Sequence, residues 1–71
     1  MRKVKISEVD GRLFAAGYST VIITEVNSEK TVQLLDSLKA GQCYNVRLSD
    51  EPPMRMKVVN VGDAVVLASV Q

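Results

Sequence analysis

Apolar and polar residues alternate through 2–9, with Val4 and Ile6 on one side and Lys3, Lys5 and Ser7 on the other. That period of two is the signature of a β-strand with one buried face. Asp10-Gly11 follows, a pair that accepts the positive φ angles of a two-residue hairpin turn, so 12–18 is expected to return as a second strand. Gly17 interrupts that run. A glycine inside a strand marks a bulge or a sharp bend, which lets one long strand serve two sheets. The stretch 19–26 continues with Val21, Ile22, Ile23, Thr24 and Val26, too rich in β-branched side chains to favour a helix.

One segment, 31–40, is ambiguous; it follows the polar residues Asn27, Ser28, Glu29 and Lys30. As a helix, it gathers Leu34, Leu35 and Leu38 on one face, with Lys39 in the last turn and Gly41 as the C-terminal cap. As a strand, it alternates Val32 and Leu34 until Asp36-Ser37 breaks the run. The helix is the better fit. Beyond it, 42–49 sets Tyr44, Val46 and Leu48 against Asn45 and Arg47, a strand pattern that ends at Pro52-Pro53 because proline has no N–H for a ladder.

The last third of the chain, 54–70, carries more apolar surface than one sheet face uses. Val58-Val59-Asn60-Val61 and Ala64-Val65-Val66-Leu67 flank Gly62-Asp63, which suits a two-residue turn. That turn would pair Val61 with Ala64, Val59 with Val66, Lys57 with Ala68 and Arg55 with Val70. Met54, Met56, Val58, Val65 and Leu67 then share one face, and Val59, Val61, Ala64, Val66, Ala68 and Val70 the other. A half-solvated antiparallel hairpin normally alternates apolar with polar, so the second face calls for cover. Either a closed barrel with the 31–40 helix supplies it, or Val59, Val61, Val66 and Val70 meet a partner or a second copy.

Size and composition narrow the options. Seventy-one residues make a single domain, 1–71, that buries only about 60% of its unfolded surface and has little stability to spare. Cys43 is alone and histidine is absent, so disulfides and the usual zinc ligand sets are not expected. The same absence removes the commonest acid–base group. The glycines are too scattered for a phosphate loop, and Cys43 has no base beside it in sequence. The carboxylates Glu8 and Asp10, Glu25 and Glu29, and Asp50 and Glu51 fall at turns or strand ends. No catalytic, cofactor or metal residue is therefore expected. No apolar run is long enough for a signal or a membrane span, and a cytoplasmic protein is the expectation.

Nine basic residues against eight acidic give a net charge of +1, which by itself argues for no polyanionic partner. Position says more than the total. Lys3 and Lys5 point together from the first strand, and Arg55 and Lys57 from the start of the last hairpin. With Arg47 they could line up to track phosphates, although alternating lysine also protects sheet edges. The aromatics Phe14, Tyr18 and Tyr44 are the only stacking platforms, and a chain so poor in large side chains needs at least two of them in its core.

The run Leu38-Lys39-Ala40-Gly41-Gln42-Cys43-Tyr44-Asn45-Val46 resembles the Gly-led entry into a barrel strand of OB-fold proteins, a pattern shared with other β-barrels. The resemblance implies a strand face that binds oligonucleotides. The fold expected is mainly β: a twisted antiparallel sheet or small OB- or SH3-like barrel of five or six strands, with one short helix near 31–40. The leading functional expectation is a non-catalytic protein-binding module that self-associates through its C-terminal hairpin. The alternative is a nucleic-acid binder using Lys3, Lys5, Arg47, Arg55 and Lys57.

Overall fold

The computed structural model describes residues 2–60, 62 and 64–70. Its strands are β1 (Lys3–Val9), β2 (Arg12–Ala15), β3 (Val21–Glu25), β4 (Thr31–Val32), β5 (Cys43–Leu48), β6 (Met54–Asn60) and β7 (Val65–Ser69), with a 3-10 turn at Leu35–Ser37. They form one sheet in the order β2-β1-β7-β6-β5-β3-β4, antiparallel at every step and curled into a half-barrel.

The alternation read from the sequence decides which way the sheet curls. Val4 and Ile6, Met56 and Val58, Tyr44, Val46 and Leu48, Val65 and Leu67 all face inward and are buried in one cluster with Ile23. Tyr44 carries the one hydroxyl in this core. It accepts from the Lys39 N–H at 3.2 Å and donates to the Ser37 carbonyl at 3.3 Å, so its polar tip is satisfied and it pins 37–39 over the barrel mouth.

The first hairpin matches its turn. Asp10 and Gly11 have φ of 53° and 75°, the two positive values that a type I′ turn requires, and Val9 pairs with Arg12. In the last hairpin Lys57 opposes Ala68 as expected, and the Val70 N–H reaches the Arg55 carbonyl. Nearer the turn the register shifts: Asn60 and not Val59 opposes Val66. A bulge at Val59 absorbs the extra residue, which rules out the Val59–Val66 pair; the expected Val61–Ala64 pair lies outside the described residues.

Two other expectations need correction. The segment 31–40 forms no α-helix. Thr31 and Val32, both β-branched, extend the sheet beside Thr24 and Ile23, and only Leu35–Ser37 turns. Too few residues remain before Gly41 to offset the cost of nucleating a helix. The extra short strand raises the count from five or six to seven. Gly17 likewise sits in a turn (φ 87°) that ends the strand, not at a bulge or bend within one long strand. The second strand stops at Ala15 and the third starts at Val21.

Candidate functional site

Side chains alternate across a strand, so the ladder registers determine what the outer face of the half-barrel presents. Lys3, Ala68, Lys57 and Cys43 stand in one row across β1, β7, β6 and β5. Lys5 is beside Val66, Arg55 beside Asn45, and Arg47 beside Ile22. Lys5, Lys3, Lys57, Arg55 and Arg47 thus descend diagonally across the sheet, in steps of about 7 to 10 Å by ordinary strand spacings. Arg12, paired with Val9, extends the band onto β2. All six are exposed.

The five cations expected from the sequence are therefore brought together, and a sixth was missed. Its signal was available: an Asp10-Gly11 turn pairs Arg12 with Val9 and so places it on the lysine side of the first strand. None of the described residues in these outer rows is acidic. Six of the chain's nine cations occupy one face, while the other three share the rest of the molecule with the described carboxylates. A chain that is nearly neutral overall is strongly divided by charge.

Three of the four expected interface valines, Val59, Val66 and Val70, lie on the same outer face, within the cationic band. Val59 and Val70 are 49% and 43% exposed, Val66 is half-buried, and Val61 lies outside the described residues. Ala68 is buried between Lys3 and Lys57. The 31–40 segment does not cover this face. Its Leu38 is buried in the inner cluster, and Leu35 packs against that same cluster.

Edge protection accounts for Lys3 and Lys5, because β2 reaches only as far as Ile6 and leaves that half of β1 open on one side. It does not account for Arg47, Arg55 or Lys57, which sit on the interior strands β5 and β6.

The carboxylates have structural work elsewhere. Glu8 accepts from the Leu35 N–H at 2.7 Å and Glu25 from the Ser28 hydroxyl at 2.6 Å. Glu51 takes a two-pronged contact from Arg2, at 2.6 and 3.0 Å, and Arg2 also donates to the Tyr18 hydroxyl at 2.7 Å. The hydrogen bond from Arg2 holds the Glu51 carboxyl below its ordinary range, while those to Glu51 and Tyr18 hold Arg2 above its own. Of the aromatics, Tyr44 is in the core, Tyr18 packs against its edge, and Phe14 is half exposed on the outer face.

Cys43 is a half-buried free thiol in the Lys57 row. Among the described residues, no three metal-ligating side chains come together, and no helix is long and apolar enough to cross a membrane. No protein-family model, curated protein or solved structure matches the chain.

Proposed function

We propose that this protein is a non-catalytic binding module that holds single-stranded nucleic acid by its phosphates along the Lys5–Lys3–Lys57–Arg55–Arg47 diagonal, with Arg12 at one end. The observation that carries this reading is the segregation of charge: six exposed cations and no described carboxylate in the outer rows. Such a face attracts polyanions, and binding releases their condensed counterions. The face is convex, the outside of a curled sheet. A rigid duplex meets a convex surface at one place, whereas a flexible single strand can follow the diagonal across several β-strands. With Phe14 as the one exposed aromatic, stacking contributes little, and the binding is insensitive to base sequence.

The same pattern ranks self-association through the hairpin lower. A two-fold contact would set this patch against its own copy, opposing Lys3, Lys5, Arg55 and Lys57 to the same residues. The exposed Val59 and Val70 instead suit contact with sugars and base faces between the phosphate-binding side chains.

The test is fluorescence anisotropy with a labelled 20-nucleotide oligothymidylate. The double variant Lys3→Glu/Lys57→Glu should bind at least tenfold more weakly, with its melting temperature little changed. Wild-type protein that ignores the oligonucleotide but binds polyglutamate would point to an acidic protein partner and refute the nucleic-acid reading.

A further inference from the structure

We infer that the cleft between β2 and β3 holds one base of the bound single strand, an assignment that rests on the nucleic-acid reading and adds to it a contact not made by charge.

The two ends of the cationic band meet at this cleft. β2 closes the sheet on one side and β3 lies next to last on the other, yet the curl brings them within 8 Å, Cα to Cα, with no ladder between them. Arg12 and Phe14 stand two residues apart on the outer side of β2, and Ile22 on the outer side of β3 is the cross-strand partner of Arg47. By ordinary strand spacings, Arg12 is about 7 Å from Phe14 and Arg47 about 5 Å from Ile22 along the backbone. The diagonal that starts at Arg12 therefore runs around the outside of the half-barrel and returns, at Arg47, to the other lip of the same opening.

The cleft measures about 390 Å³, at the small end of the range for ligand pockets, about 300–1,000 Å³. Its floor is apolar: Leu13 and Val21 pack against the core, and Ala15 and Val32 belong to it. Phe14 and Ile22, 49% and 44% exposed, line it from opposite sides. No described carboxylate lines it. A slot with a ring on one side, a branched aliphatic on the other and a guanidinium beyond each suits a group that is flat and apolar on its faces yet tied to an anion. A nucleotide is that group. An apolar peptide side chain would leave both cations unused.

Gripping a base by its faces does not choose among bases, since each has a π-face. Thr31 and Gln33, exposed at the rim of the cleft, keep it so. A hydroxyl and a side-chain amide each donate and accept, so either can meet whatever group a base edge presents. The cleft thereby adds one stacked base to the phosphate contacts of the band and leaves the binding general. Its far end is tied in place: Arg2 holds Tyr18, the Ser19 N–H donates to Ser49 Oγ at 2.8 Å, and the Ser49 N–H to the Thr20 carbonyl at 2.9 Å.

Two strands of equal length, oligothymidylate and its abasic counterpart, separate the base from the phosphates when fluorescence anisotropy measures both against wild-type protein and Phe14→Ala. Wild type should bind oligothymidylate about fivefold more tightly or better, the low end for one stacked base. Phe14→Ala should cut that preference at least threefold. In isotope-labelled wild-type protein, thymine methyl groups should show nuclear Overhauser contacts to the Phe14 ring and the Ile22 methyls, a readout that needs no variant. Equal wild-type affinities for the two strands, a preference that survives Phe14→Ala, or thymine contacts confined to Val59 and Val70 would overturn the base site while leaving phosphate binding intact. Failure of both strands to bind would overturn the phosphate reading, and the base site with it.

Discussion

Val58 and Val59 are neighbours of the same type, yet the fold gives them opposite environments: 1% and 49% exposed. The isosteric change Val→Thr at each therefore reads the two faces of the sheet separately. At 58 it removes a buried methyl and leaves a hydroxyl among Met56, Val65 and Leu67, where no side-chain partner waits. Burying an unsatisfied hydroxyl costs about 1–3 kcal/mol, so Val58→Thr should destabilise by about 2 kcal/mol. In a domain of this size each kcal/mol lowers the melting temperature by roughly 4–8 °C, giving a drop of about 8–16 °C. Val59→Thr replaces one β-branched residue by another at a solvated bulge, and should fall within about 0.5 kcal/mol of wild type. Thermal unfolding followed by circular dichroism, with urea titrations as a check, measures both. Equal losses at the two positions would mean that the outer face is covered in solution, and would refute the description of it as a free binding surface.

The Arg2–Glu51 contact gives a pH dependence. A carboxyl held below its ordinary range binds its proton more weakly in the folded chain than in the unfolded one. Its contribution is complete above that ordinary range and is lost as pH falls through the lowered value. Glu51→Gln should therefore flatten the acid limb of a melting-temperature profile, and an unchanged limb would count against the contact. Gly11→Ala should destabilise by about 1–2 kcal/mol through backbone strain alone, because φ is +75° and no atom lies within 4 Å of the added Cβ; urea unfolding reads this directly. Light scattering at micromolar concentration and low salt should find a monomer, since self-contact through the outer face would oppose like charges. A stable dimer broken by Val66→Asp would restore self-association as the leading reading.

What was legible in the sequence follows from how local the determining physics is. The faces of 2–9, 42–49 and 54–60 could be read because a period of two ties each side chain to its neighbours, and the Asp10-Gly11 turn because its backbone demand is met by the pair itself. The fate of 31–40 could not, since Thr31 and Val32 become a strand only by pairing back across the preceding turn with Thr24 and Ile23, and the segment's own pattern does not carry that pairing. The bulge at Val59 was hidden for a related reason: nothing in Val58-Val59-Asn60 distinguishes a regular pair from one with an extra residue. Lys3, Lys5, Arg47, Arg55 and Lys57 were visible as alternating cations. Their union in a single diagonal depends on β7 lying between β1 and β6, which only the sheet order reveals.

The salt dependence of oligonucleotide binding tests the central claim most directly. Each phosphate neutralised on a single strand contributes about −0.7 to the slope of log K against log salt concentration. If four to six of the band's cations engage, the slope should be about −3 to −4, and Arg55→Gln/Lys57→Gln should make it shallower by about 1.4, two contacts' worth. A slope near zero, or one that the double substitution leaves unchanged, would contradict the account.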